Sequence, residues 1–368
     1  MIGFKSTYPI GIDIGERDIH ALQLLPTPQG LAVRGLVHRE LDFDLCEEKG
    51  RDGDAVSVFK EIVKSGQFRG KRAVVHLPPQ LIVSFPISFQ VGENEVLEEV
   101  ILREAIAHLP FPLAEAIIDY PSLVQEQEGS RSRCQATIVA VRRAELDRYL
   151  AILKRAGLTV EAVDYSVASL IRLHRYLVGP LRDTDILCHL GRCGSLITFV
   201  RQENILGERI FSWGMQGLYD KLFANLQTLR ELRQARVLLE KHGLSYEDRH
   251  GAGGGDPKPG PQPSADMSRA IFQIISPHMD ELIYEFHKMI TYVRSRETIP
   301  VFDGIYIYGE GGAIDYLNAY LEKRLQIPVR IMDPMKTVPS GRQEMADRTE
   351  LSSYALAFGL AIRKVSWL

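Results

Sequence analysis

The segment IGIDIGERDIHALQL, residues 10–24, decides the fold. Its first apolar run ends at Gly15 and an alternating pattern resumes at Asp18, which predicts a β-hairpin around a short polar turn. The segment ILCHLGRCGSLITFV, residues 186–200, has the same outline. This repetition predicts two related halves, each of which starts with a hairpin whose turn is the size of a phosphate group.

Glycines close three apolar strands, in the patterns Asp13-x-Gly15, Gly191-x-x-Gly194 and Gly309-x-Gly311-Gly312. Glycine tolerates positive φ and lets backbone N–H groups approach an anion, although each turn taken singly is also an ordinary strand end. Two strand-turn-strand units are followed by a strand, a glycine turn and a helix. This order resembles the two phosphate hairpins and the adenosine loop of the actin-like ATPase superfamily.

Composition excludes several classes of protein. The 368 residues are 45% hydrophobic and 25% charged, which is close to average globular usage. The formal net charge is -3 and basic residues are nowhere concentrated, so we expect no nucleic-acid partner. Four scattered cysteines fit a reducing compartment better than a disulfide framework. No run approaches the ~20 apolar residues that span a bilayer, so we expect a soluble chain.

Much of the chain resembles the PilM family of type IV pilus assembly proteins. The resemblance rests on residues 10–24 and 186–200 and on the stretches HLPPQLIVSFPISF, REAIAHLPFPLAEAIIDY, IYIYGEGGAIDYLNAYLEKRLQIPVRIMDP and YALAFGLAIR. It implies an α/β fold of the actin-like type, which is a duplicated, ribonuclease H-like, bilobal arrangement. An inserted subdomain like that of the cell-division protein FtsA is also implied.

The resemblance implies four subdomains around an interdomain nucleotide cleft. We assign residues 1–71, 166–182 and 349–368 to subdomain 1A, 72–165 to the inserted subdomain 1C, 183–215 and 303–348 to subdomain 2A, and 216–302 to subdomain 2B. Within the last of these, residues 251–266 are rich in Gly and Pro and predict a flexible loop.

A site for ATP and Mg²⁺ is implied as well, with Asp13 near the metal and the phosphates. The other implied nucleotide-binding residues are Gly15, Arg17, Gly191, Arg192, Gly194, the hinge glycine Gly214, Arg236 beside the adenine, Gly309, Gly311 and Gly312. For Arg192 and Arg236 a solvent-facing charge is the alternative interpretation. Trp213 packs in the core at the hinge or stacks on a base.

The hairpins depart from the family pattern. Glu16, Arg17 and Asp18 replace small hydroxyl residues, and His20 stands where a Lys is expected. A carboxylate ~4 Å from a phosphate costs about 4 kcal/mol before screening at an effective dielectric of ~20. His189 replaces the acid expected on the second hairpin, and imidazole is a poor Mg²⁺ ligand. We therefore predict no catalytic residue, nucleotide binding at most, and weak or absent ATP hydrolysis.

These features predict an actin-like cytoplasmic scaffold, peripheral at the inner membrane, in the platform of a type IV pilus or type II secretion machine. The resemblance implies that the cytoplasmic N-terminal tail of a PilN-like protein binds a groove walled by residues 77–89 and the early hairpin. A secretion or pilus ATPase is a second candidate partner, and contact with the membrane is expected only through partners. The alternatives are an active ATPase of the superfamily and the cytoplasmic region of a GspL-type membrane protein.

Overall fold

The structure, a computed structural model, describes residues 8–28, 30–46, 49–181, 184–202, 204–245, 263–296, 301–338 and 351–363. The chain forms two compact units. The first unit comprises residues 1–176, 202–205 and 356–368, and the second comprises 177–201 and 206–355.

A five-stranded sheet is the centre of the first unit. Its strands are β1 (Ile10–Ile14), β2 (Asp18–Thr27), β3 (Gly30–Glu40), β4 (Arg72–His76) and β8 (Thr159–Asp164), in the order β3-β2-β1-β4-β8. β1 is antiparallel to β2 and parallel to β4, as the hairpin pattern predicts for the first pair. All five residues of β1 are buried, so this strand lies at the middle of the core.

Helices cover both faces of this sheet. Helices α1 (Asp52–Lys64) and α3 (Arg143–Arg155) supply Phe59 and Tyr149 to the core that also contains Ile12. On the other face lie α4 (Ser166–Val178) and the last helix, α9 (Ala355–Ala361). A Cβ on Gly11 would lie 2.1 Å from the Ala357 carbonyl oxygen, so only glycine lets α9 pack this closely on β1.

A separate three-stranded sheet lies in the same unit. Its strands are β5 (Ile82–Gly92), β6 (Ala116–Glu128) and β7 (Arg131–Arg142), in the order β5-β7-β6, and helix α2 (Leu97–Ile106) packs on one face. Pro86 lies in β5, at the edge of this sheet, which agrees with the expectation that proline avoids an interior strand.

The sequence grouped residues 72–165 as one compact insertion, and here the strand pairing differs. β4 pairs in parallel with β1, and β8 pairs in parallel with β4, so both strands belong to the five-stranded sheet. The three-stranded sheet begins only at Ile82. Parallel partners are distant in sequence, which is why a local pattern does not reveal them. The subdomain boundaries stay a prediction.

The second unit repeats the same strand order. Its sheet contains β9 (Thr184–Leu190), β10 (Ser195–Arg201), β11 (Asn204–Phe211), β12 (Gly304–Tyr308) and β13 (Val329–Ile331), in the order β11-β10-β9-β12-β13. The predicted duplication is therefore confirmed. Its helices are α5 (Met215–Asn225), α6 (Leu232–Lys241), α7 (Pro263–Arg296) and α8 (Leu317–Leu325).

Two separate helices, α5 and α6, lie between residues 215 and 241. Of the predicted flexible loop, residues 251–262 lie outside the described residues, and 263–266 already belong to α7. None of the helices in the described ranges is both long and apolar enough to cross a membrane.

Candidate functional site

The turn of the first hairpin is held by its own side chains and by the chain that follows β3. The Gly15 N–H donates to the Asp18 carbonyl at 2.9 Å. A Cβ on Gly15 would lie 2.2 Å from Asp18 Oδ1, so the Asp18 side chain folds back over the glycine. The Leu41 N–H donates to the carbonyl of Arg17, whose side chain is exposed. Backbone hydrogen bonds thus close the turn and tie it to the chain after β3.

Asp13 is buried at the end of β1, and its carboxylate contacts His76. His76 Nε2 lies 2.6 Å from Asp13 Oδ1, and its Nδ1 lies 2.7 Å from the Leu77 carbonyl oxygen. A carbonyl only accepts, so Nδ1 carries a proton, and a second proton on Nε2 suits the carboxylate. Burial lowers the pKa of His76, but Asp13, Leu77 and Asp164 raise it by more, so its pKa lies above the usual value.

The Asp13–His76 pair is part of a row of ionisable residues that crosses the whole sheet. His20 on β2 lies opposite Asp13, and His38 on β3 lies opposite His20. On the other side, Asp164 on β8 lies opposite His76. We call these five residues the ionisable row. Sequence reasoning found Asp13 and His20 but missed the others, because only strand register aligns them.

Asp164 ends the ionisable row in contact with two arginines. Its carboxylate oxygens lie 3.0 Å from Arg172 of α4 and 2.8 Å from Arg363, just beyond α9. The Asp164 side chain is only 4% exposed, so this cluster is held in a largely dry environment. The row therefore carries charges of both signs on the face that packs against α4 and α9.

The turn of the second hairpin is closed by backbone bonds to α5. Gly191 N–H donates to the Gly194 carbonyl, and the carbonyls of Gly191 and Arg192 accept from the first N–H groups of α5. Arg192 Nε donates to Gln216 Oε1 at 3.1 Å. A Cβ on Gly214 would lie 2.3 Å from the Arg192 carbonyl oxygen. The structure thus brings the predicted residues Gly191, Arg192, Gly194 and Gly214 together.

The predicted adenosine loop packs directly on the end of β9. Gly309 has φ +84°, and a Cβ there would lie 2.6 Å from the Leu190 carbonyl oxygen and 2.8 Å from His189 Nε2. A Cβ on Gly311 would lie 2.5 Å from Leu190 Cβ. Gly312 donates to the Gly309 carbonyl at 3.0 Å. These glycines are required by close packing within the second unit.

Arg236 contacts the same loop through Glu310. Its Nε lies 3.2 Å from Glu310 Oε1, which also accepts from the Tyr219 hydroxyl at 2.6 Å. Glu310 is 3% exposed, and burial, with Glu310 as a neighbour, raises the pKa of Tyr219 well above its usual value. Arg236 is therefore largely buried against a carboxylate rather than facing solvent. Sequence reasoning missed Glu310, which lies between two glycines in GEGG.

Trp213 lies in the core of the second unit. Its Nε1 donates to the His278 carbonyl at 2.7 Å, and its ring stacks on the His278 ring with 5.0 Å between centroids. The side chain is almost wholly buried. Of the two interpretations given above for Trp213, the structure shows core packing.

A cavity of about 700 Å³ lies within the first unit, between its two sheets. Its lining is mainly apolar and comprises Leu77, Ile82, Ile117, Asp119, Pro121, Val139, Ala140, Val141, Leu146, Val163, Asp164, Tyr165, Ala168, Arg172, Ile362 and Arg363. Only two of these residues come from the predicted groove wall 77–89, and none comes from the early hairpin. Half of the lining residues belong to β6, β7 and α4.

A family model described as type IV pilus assembly protein PilM matches residues 11–221. The chain belongs to this family. No curated protein matches the chain. A solved PilM-PilN type IV pilus biogenesis complex contains a chain with 19% identity and a TM-score of 0.73, and the match covers 96% of this chain and 98% of that one.

A second solved structure, ethanolamine utilization protein EutJ from Carboxydothermus hydrogenoformans, is 13% identical with a TM-score of 0.51. The match covers 96% of this chain and 89% of the EutJ chain. The cytoplasmic domain of EpsL from Vibrio cholerae matches 61% of this chain and 77% of the EpsL chain. Its TM-score of 0.38 is too low to indicate a shared fold. The likenesses show the fold, which is actin-like as predicted.

Proposed function

We propose that this chain is an actin-like protein of a type IV pilus platform that binds the cytoplasmic tail of a PilN-like inner-membrane protein. The cavity of the first unit is the observation that carries this proposal. Membership of the PilM family and the fold shared with a PilM-PilN complex support it. The chain would then lie at the membrane through its partner and act as a scaffold.

The walls of the cavity suit an extended peptide. β6 is an edge strand of the three-stranded sheet, and its residues Ile117, Asp119 and Pro121 line the cavity. An edge strand presents backbone groups that can pair with an added strand, while neighbouring pockets accept alternate side chains. The pairing of β6 with β7 is irregular between Asp119 and Ser122, which shapes this part of the wall.

Asp119 can orient a tail that carries a cationic group. Arg172 and Arg363 both pair with Asp164, so the four charged lining residues, which also include Asp119, carry no formal net charge. Asp119 is exposed, and its carboxylate accepts from the neighbouring Tyr120 N–H at 2.8 Å. A Lys, Arg or α-amino group of the tail would complement Asp119, and such complementarity sets orientation and on-rate.

A peptide-binding measurement tests the proposal. The probe is a labelled peptide with the N-terminal cytoplasmic sequence of a PilN-like protein from the same organism, and its binding is measured by fluorescence anisotropy. Val139→Glu places a carboxylate on the apolar wall and should weaken binding at least about tenfold, which corresponds to about 1.4 kcal/mol. Asp119→Lys should also weaken binding, and the loss of affinity should be greater at low salt than at high salt.

The matched control is Val124→Glu. Val124 is a half-buried residue of the same sheet, on the same face as Val139 by register, and it does not line the cavity. This variant should bind the peptide like the parent chain. Circular dichroism and thermal melting verify that both variants are folded. Equal affinity of the two folded variants would exclude the cavity as the binding site.

We propose further that the nucleotide apparatus of this chain is degenerate. Mg²⁺ prefers oxygen ligands and open coordination positions. The Asp13 carboxylate is paired with His76, and His189 stands at the corresponding position of the second hairpin, so the donor set does not fit Mg²⁺. Purified protein should release no phosphate from ATP above buffer. Mg²⁺-dependent release that disappears in Asp13→Ala would favour the active ATPase instead.

A further inference from the structure

We propose that Asp18, His20 and His38 form a binding site for a borderline divalent metal ion such as Zn²⁺. His20 and His38 are direct partners across β2 and β3. Asp18 is two residues before His20 on β2, so its side chain lies on the same face. One ligand atom from each of the three residues lies within 4.8 Å of the others.

The donor types select the class of metal. Two imidazole nitrogens and one carboxylate suit Zn²⁺, Co²⁺ or Ni²⁺, whereas Mg²⁺ and Ca²⁺ prefer sites made of oxygen. Ligand atoms around a tetrahedral zinc are roughly 3.3 Å apart, given Zn–N distances of ~2.0–2.1 Å. The ligand atoms would therefore have to approach one another by at most about 1.5 Å. Rotamer changes on one face of a hairpin provide this movement.

The present arrangement of the two rings makes this movement specific. The His20 and His38 rings are stacked, with 4.4 Å between centroids and 4° between planes. An imidazole nitrogen binds a metal in the plane of its ring, and two parallel rings share no common plane. Metal binding must therefore turn at least one ring about χ2, a torsion with broad minima. Loss of the stacking is thus a signature of binding at these residues.

A metal here would cross-link β2 and β3 next to the first hairpin. His20 is buried and Asp18 is nearly so, and the Asp18 side chain already lies over Gly15. The Leu41 N–H binds the Arg17 carbonyl just beyond this point. Three protein ligands leave a coordination position for water. Because the metal would bind the folded hairpin and not the unfolded chain, it would stabilise the protein.

Calorimetric titration of the tag-free chain with Zn²⁺ or Co²⁺ tests the proposal. The parent protein should bind one ion, and both His38→Asn and Asp18→Asn should lose at least about tenfold in affinity, since even indirect partners of metal ligands contribute 10–100-fold. His287→Asn is the control, because His287 is exposed on α7, and should bind like the parent. Excess Mg²⁺ should not compete.

Two spectroscopic readouts locate the ion. Bound Co²⁺ should give visible d–d bands without the intense near-ultraviolet charge transfer that a thiolate ligand adds, which separates this site from the cysteines. In NMR spectra, Zn²⁺ should shift the ring protons of His20 and His38 and leave those of His287 unchanged. Unchanged affinity in folded Asp18→Asn and His38→Asn, or shifts confined to other histidines, would overturn the proposal.

Discussion

Asp13 and His189 occupy the same place in the two sheets, two residues before the glycine that opens each hairpin turn. Beside Asp13 lie His76 and His20, and beside His189 lie Tyr308 and Leu196. At this position the first sheet carries the ionisable row. At the equivalent position the second sheet carries one imidazole, which lies between a tyrosine and a leucine. The backbone has been duplicated while the chemistry has diverged, so strand order alone does not determine what each sheet does.

The largest expected effect tests the buried ion pair between Arg236 and Glu310 in the second unit. Arg236→Ala leaves the buried Glu310 carboxylate without its guanidinium and should lower the free energy of unfolding by about 3–5 kcal/mol. Arg233→Ala, on the exposed face of the same helix, should stay within about 0.5 kcal/mol of the parent. Urea denaturation measures both. Similar free energies of unfolding for the two variants would show that the ion pair of Arg236 with Glu310 does not stabilise the second unit.

The next prediction tests the close packing of residues 309–312 against the end of β9. Gly309→Ala should cost at least about 3 kcal/mol, because a backbone conformation reserved for glycine costs about 1–3 kcal/mol and the new Cβ also overlaps the Leu190 carbonyl. Gly129→Ala has φ +65° but open space, and should cost about 1–2 kcal/mol. Urea denaturation measures both losses of unfolding free energy. Equal losses would mean that a Cβ at position 309 does not collide with the Leu190 carbonyl oxygen.

A third prediction concerns the ionisable row and pH. Since the folded pKa of His76 is raised, its stabilising contribution is complete below about pH 6.5 and is lost as pH rises through the higher folded pKa. His76→Gln should therefore cost about 1.5–3 kcal/mol at pH 6 and less at pH 9. Denaturation at both pH values measures this. His108→Gln, at an exposed site, should show no such difference, and a pH-independent loss in His76→Gln would contradict the ion pair.

The smallest effect compares the arginines of the two turns. Arg192 is partly buried and donates to Gln216, so Arg192→Ala should cost about 0.5–1.5 kcal/mol. Arg17 is exposed, and Arg17→Ala should change the free energy of unfolding by less than about 0.5 kcal/mol. Thermal melting resolves this difference only with both variants measured side by side. A reversed order would mean that the first turn depends on its side chain more than on its backbone bonds.

The sequence predicted what depends on local pattern. Both hairpins and the glycine loop follow from apolar periodicity and glycine position, and the actin-like fold was implied by the resemblance of their order to that superfamily. The groups around Asp13 and Glu310 were beyond such reasoning, because His76 is 63 residues from Asp13 and Arg236 is 74 from Glu310. The parallel pairing of β1 with β4 sets the first contact, and the packing of α6 beside the loop after β12 sets the second. No short-range signal encodes either of them.

Asp164 lies between the cavity and the first hairpin in electrostatic terms. This carboxylate lines the cavity and also acts electrostatically on His76, which binds Asp13. A cavity occupant that alters the ion pairs of Asp164 must therefore alter the proton affinity of His76. Thermodynamic linkage is reciprocal, so protonation at His76 must change the affinity of that occupant by the same factor. Asp164 thus provides an electrostatic link between the cavity and the Asp13–His76 pair.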